Sequence, residues 1–201
     1  MVDGSFPETA VPEAVAYMRD LLHGFGRPWF LCGGWAVDAW LGRQTRDHLD
    51  VDIALLHEDQ YAVWEHFAGW ALVAHDPNVA DDTTEPWTGR RLDPPAHVHV
   101  PQRGETSAKH SAFEFEFILV ETSGQDWVLN REPYTGQTAW GLPAEAPEVV
   151  LLNKADGVVR PHDEQDFRAL LPTLTDVQRA WLWDAIRRVH PGHPWLTRLQ
   201  S

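Results

Sequence analysis

Cys32-Gly33-Gly34-Trp35-Ala36-Val37-Asp38, then Gly42-Arg43-Gln44-Thr45-Arg46-Asp47-His48-Leu49-Asp50-Val51-Asp52-Ile53, is the stretch that decides the fold. Apolar residues around Asp50 and Asp52 read as a strand. Alternate side chains of a strand share a face, so the two carboxylates point the same way. Side by side they repel unless a cation lies between them, and a hard, oxygen-seeking ion such as Mg²⁺ suits them. The glycine pair opens the helix that follows the preceding short strand. Backbone N–H groups at a helix start bind phosphate well. A carboxylate pair and a phosphate cradle together point to nucleotide chemistry.

These residues resemble the nucleotidyltransferase superfamily with the DNA polymerase β-like palm. The resemblance is closer to the aminoglycoside 2″-adenylyltransferases and lincosamide nucleotidyltransferases. It is carried by Gly33 to Asp38, Gly42-Arg43, Thr45-Arg46, His48 and Asp50 to Ile53, and is strong over Trp29 to Leu56. Weaker similarity runs through Phe113 to Glu121 and from Pro147 to Leu171. The implied fold is α/β (α+β): a palm with a small mixed sheet and a helical C-terminal segment. A catalytic domain over 1–140 and a helical subdomain over 141–201 are expected.

The resemblance also assigns roles. Asp50 and Asp52 would hold two Mg²⁺ ions, with Asp52 bridging them. A third carboxylate is needed from a neighbouring strand, in an apolar-acid-apolar setting. Phe113-Glu114-Phe115-Glu116-Phe117 offers both Glu114 and Glu116, and the pattern does not choose between them. Gly33 and Gly34 would receive the triphosphate of ATP. Trp35 follows them where many relatives carry serine, so backbone N–H groups replace a hydroxyl contact. Arg43 and Arg46 have the guanidinium forks that match phosphate oxygens. For Arg46 the structural alternative is an ion pair with Asp47 or Asp38. His48 would touch phosphate or orient Asp50. Lys154 would reach the nucleotide or stay on a solvated helix face. Asp163, Glu164 and Asp166 read as a helix start with Asp163 as N-cap, or as a recognition site for a cationic acceptor.

Composition narrows the partners. The chain has 201 residues, 43% of them hydrophobic, enough for a core. Its formal net charge is −14, whereas proteins that bind long nucleic acids present basic surfaces. The acidity suits a small cationic acceptor or serves solubility. One cysteine excludes an internal disulfide and a cysteine zinc site. No apolar run reaches the length of a membrane span, and Met1 to Ser5 does not read as a signal peptide. A cytoplasmic protein is expected. His97 and His99 alternate on a strand, but without a third histidine or a cysteine they do not read as a zinc site. P-loop and nucleophile-elbow motifs are missing.

The pattern predicts helices from Pro12, over Trp35 to Leu41, His57 to Gly69, Pro147 to Val158, Asp163 to Leu171 and Asp176 to His190. Strands are expected at Trp29 to Cys32, Leu49 to Leu56, Trp70 to Ala74, His97 to Val100 and Ser111 to Glu121. Asp76 to Pro95 reads as a loop with room for an edge hairpin, Gly124 to Asp126 as a turn into a strand at Trp127 to Leu129, and Thr135 to Leu142 as an irregular link. The implied reaction is transfer of a nucleotide, AMP from ATP, to a hydroxyl of a small cationic acceptor. The alternatives are an antitoxin-type relative that modifies a protein and a palm that binds nucleotide without turnover.

Overall fold

The computed structural model describes residues 10–76, 84–101, 114–120 and 135–200. In chain order the elements are α1 (Glu13–Leu21), β1 (Trp29–Leu31), α2 (Gly33–Leu41), β2 (Asp50–Leu56), α3 (Gln60–His66), β3 (Val73–His75), β4 (Thr84–Pro86), β5 (His97–Val100), β6 (Glu114–Val120), β7 (Thr135–Gln137), β8 (Pro143–Glu145), α4 (Pro147–Lys154), α5 (Pro161–Leu170), α6 (Asp176–Val189) and α7 (Trp195–Leu199). They form two compact units interleaved along the chain. One comprises residues 11–31 and 47–127; the other comprises 1–10, 32–46 and 128–201. The mixed α/β architecture agrees with the expected class.

The first unit is built on six neighbouring strands in the order β4-β3-β5-β6-β2-β1. β2 and β6 run parallel, while β1, β5, β3 and β4 join antiparallel. Alternation on β6 explains its orientation. Phe115 and Phe117 are fully buried. They meet Phe67 at ring separations of 5.9 and 6.1 Å, and Phe25 stacks on Phe117 at 5.9 Å. Each such side chain contributes about 1.5–3 kcal/mol by leaving water. That burial fixes the strand's facing and turns Glu116 to the opposite side. Val15 and Met18 of α1 add to the same core.

Among its described residues, the regular structure of the second unit is helical apart from the β7–β8 hairpin. Its core gathers Leu151, Phe167, Leu170, Leu182 and Trp195, all essentially without exposure. Phe167 and Trp195 stack at 4.1 Å. Thr175 caps α6 by accepting from the Gln178 N–H, and the Thr175 N–H donates back to the Gln178 side chain. Trp40 donates its Nε1–H to the Glu145 carbonyl at 2.7 Å, which ties α2 to the hairpin.

Several expected boundaries shift. Gly33 and Gly34 are the first residues of α2 rather than a turn before it. Thr135 to Leu142 is not wholly irregular, because it contains β7, which pairs with β8 just beyond it. β4 supplies the edge strand that the loop after Asp76 left room for. α4 stops at Lys154, short of Val158. α3 is shorter than the His57 to Gly69 reading; a 3₁₀ turn at His57–Asp59 precedes it. α5 begins at Pro161, so Asp163 is not the N-cap but lies in the first turn. The turn at Gly124 to Asp126 and the strand at Trp127 to Leu129 lie outside the described residues.

Candidate active site

Register places the carboxylates. In the parallel β2–β6 pair, Asp50 stands opposite Glu114 and Asp52 opposite Glu116. One oxygen from each of Asp50, Asp52 and Glu116 lies within 4.8 Å of the others. Glu116 therefore joins the two aspartates. The side chain of Glu114 lies outside the described residues. Three negative groups at this separation form the hard oxygen set that a divalent cation takes, and their mutual repulsion is the observation that fits a cation to them.

Their titration reflects that crowding. Desolvation, then the charge of Glu116, pushes the Asp50 carboxyl above its ordinary value, against the opposing influence of His48 and His99. Burial raises Glu116 as well, but His97, His99 and a hydrogen bond with Asp52 outweigh it and hold Glu116 below the usual glutamate range. Glu116 is thus ionised at neutral pH. His97 Nδ1 lies 3.6 Å and His99 Nε2 3.2 Å from the same oxygen, Oε2. Nothing in the strand pattern ties these histidines to the carboxylates. Their alternation was legible, but the pairing of β5 with β6 was not.

The glycine and basic residues belong to the other unit, except His48. Cys32, in extended backbone, precedes Gly33, whose φ of 59° is the left-handed region that favours glycine. The first helical hydrogen bond runs from the Ala36 N–H to the Cys32 carbonyl, so the Gly33 and Gly34 N–H groups stand ahead of the ladder. No acidic side chain occupies the first turn of α2. This is the local geometry that receives an anion. The helix ends at Gly42, also left-handed at φ 69°. Buried Asp38 then accepts from the Thr45 backbone N–H and hydroxyl, which fixes the Gly42–Thr45 turn.

Arg46 and Lys154 are engaged in an ion-pair network. Arg46 grips Asp166 with two parallel hydrogen bonds of 2.9 Å. Lys154 Nζ lies 2.8 Å from Asp166 and 3.2 Å from Asp163. Asp163 also accepts from Arg160 at 2.6 Å. Asp166 is completely buried, and Lys154 is buried. Arg46 is thus paired with Asp166, and the charge of Asp38 acts on it as well. Burial raises both Asp163 and Asp166, but the bonds from Arg160 and Arg46 and the charge of Lys154 leave both below the ordinary aspartate range. Arg43 is exposed and forms no ion pair among the described residues.

The family model for aminoglycoside-2″-adenylyltransferase matches residues 14–78, a stretch containing both the glycine pair and the β2 aspartates. No curated protein sequence matches. Three solved structures share the fold. The lincomycin-bound lincosamide antibiotic adenylyltransferase LnuA is 15% identical, with a TM-score of 0.55, over 83% of this chain and 99% of its own. The solution structure of the antibiotic-resistance factor ANT(2″)-Ia is 15% identical, with a TM-score of 0.56, over 87% and 90%. The crystal structure of ANT(2″)-Ia with adenylyl-2″-tobramycin is 14% identical, with a TM-score of 0.54, over 87% and 95%. The family model thus spans both motifs that carry the resemblance, Gly33-Gly34-Trp35 and Asp50-Val51-Asp52, and the solved structures share the fold.

Proposed function

We infer that this chain transfers AMP from ATP to a hydroxyl of a small cationic acceptor, an aminoglycoside or a lincosamide. The observation that carries the reading is the convergence of Asp50, Asp52 and Glu116 on adjacent parallel strands. Asp50, Asp52 and Glu116 would hold Mg²⁺, two ions by resemblance, with Glu114 retained as a further candidate. When bound, the metal neutralises these carboxylates and stabilises charge developing on the phosphates.

The chain's own groups do the rest. Glu116, ionised at neutral pH, accepts the proton of the acceptor hydroxyl. The hydroxyl oxygen forms a bond to the α-phosphorus as the bond to the β-phosphate oxygen breaks, and pyrophosphate leaves. Gly33 and Gly34 present N–H groups to the triphosphate. Arg43 supplies an exposed guanidinium to it. Arg46 and Lys154, both paired with aspartate, act on it through the turn and helix that they fix. His48 orients Asp50 or contacts the phosphates. Residues 1–140 carry the chemistry and 141–201 the helical support. The work is positioning and charge neutralisation, which dominate phosphoryl transfer. The adenylyl-2″-tobramycin and lincomycin bound by the similar structures, with the net charge of −14, support a cationic acceptor.

Calorimetric titration with ATP, with and without Mg²⁺, tests this reading. The wild type takes up ATP in a Mg²⁺-dependent manner, and Asp52→Asn loses that dependence. Equal ATP binding with and without Mg²⁺ in both proteins contradicts it.

A further inference from the structure

The sheet face that carries the carboxylates does not end at β6. Successive pairings put Asp52 opposite Glu116, and Glu116 opposite His99. Directly opposed residues in an antiparallel pair lie on the same face, a few ångströms apart. One transverse row therefore reads Asp52, Glu116, His99. His97 is two residues along β5 on that face, and His75 stands opposite His97 on β3. The His75 ring packs against both, at 5.9 Å from His97 and 5.8 Å from His99, edge-on to each. The three histidines do not converge as a metal site of their own. Their rings instead back one another, and two of them end on one oxygen of Glu116.

Glutamate has more side-chain freedom than aspartate, and β6 supplies a glutamate where two aspartates complete the set on β2. Immobilising such a side chain costs conformational entropy, so an unrestrained Glu116 would spend much of its time away from Asp50 and Asp52. The contacts at 3.2 and 3.6 Å to Oε2 restrain it from the far side. Both imidazoles are about four-fifths shielded from solvent, and Glu116 slightly more, so water competes weakly for these contacts.

We propose that His97 and His99, backed by His75, are positioning residues that aim the Glu116 carboxylate at Asp50 and Asp52 and so set the affinity of the site for a divalent cation. The proposal rests on the reading of these three carboxylates as a cation site. It assigns the histidines no contact with the cation and no proton in the transfer. Outer partners of metal-binding side chains characteristically change affinity by about 10–100-fold when removed.

The test is the dissociation constant of Mn²⁺ alone, read from the paramagnetic resonance of the free ion, for the wild type, Asp52→Asn, His99→Ala, His99→Gln and His97→Ala. Melting temperatures establish that each variant is folded. Asp52→Asn abolishes the tight site. His97→Ala and His99→Ala each weaken it, by up to about 10–100-fold. A loss of affinity at an unchanged melting temperature would not follow from a merely structural role. Wild-type Mn²⁺ affinity in His99→Ala would overturn the proposal while leaving the cation site standing. Equal Mn²⁺ binding by the wild type and Asp52→Asn would remove the cation site, and the proposal with it. If His99→Ala does not fold, His99→Gln takes its place: wild-type affinity in both His99→Gln and His97→Ala also overturns it.

Discussion

Asp50 carries opposing demands: its carboxylate must be ionised to hold a cation, yet its surroundings and Glu116 favour the neutral form. A carboxyl whose folded pKa is raised destabilises the metal-free fold above that pKa, and the penalty disappears below the ordinary aspartate value of about 3.9. Asp50→Asn should therefore melt higher than the wild type at neutral pH without metal, and the advantage should vanish as the pH falls below about 4. Thermal scans across pH check this. Mg²⁺ should reverse the order. A ligand at a hundredfold excess over its Kd stabilises the native state by about 2.7 kcal/mol, several degrees for a chain of this size, and Asp50→Asn should not receive it. Asp52→Asn should keep its fold while turnover drops by more than about 10²-fold, since the loss of one well-placed electrostatic group has that scale. Wild-type turnover in that variant would remove Asp52 from the site.

Between elements, the strongest electrostatic contact is the grip of Arg46 and Lys154 on Asp166. Asp166→Asn leaves two shielded cations without that carboxylate, a change worth about 3–5 kcal/mol. The folded pKa of Asp166 is lowered, so its contribution is fully present above the ordinary aspartate value and is lost as the pH falls through the folded one. Urea unfolding should show a steady gap between wild type and variant from about pH 5 upward, closing below about pH 4. Gly33→Ala should cost about 1–2 kcal/mol, because Cβ is unfavourable in left-handed backbone. The unequal legibility of these features has a physical basis. Asp50-Val51-Asp52 and Phe115-Glu116-Phe117 could be read as strands because each has one buried and one polar face. The pairing of Arg46 with Asp166 could not, since the partners are 120 positions apart and each has closer charges. β7 and β8 have three residues each, too few for alternation to register. The choice of Glu116 came from parallel register, and the histidine row from two further pairings, neither encoded by local pattern.

Across the whole molecule, a net charge of −14 on 201 residues attracts cations at long range. For a cationic acceptor, KM should rise steeply with salt from about 0.1 M to about 1 M, as the screening length falls from about 10 to about 3 Å; kcat should change much less. No helix among the described residues is long and apolar enough to cross a membrane. The fold is shared with LnuA and ANT(2″)-Ia, and the central proposal is transfer of AMP to an aminoglycoside or a lincosamide. Pyrophosphate release from ATP and Mg²⁺ across a panel of aminoglycosides and lincosamides tests that claim most directly. Acceptor-dependent release with at least one drug class, absent in Asp52→Asn, is the predicted result. Silence across the panel from a protein that still binds Mg²⁺ and ATP would contradict the proposed acceptor.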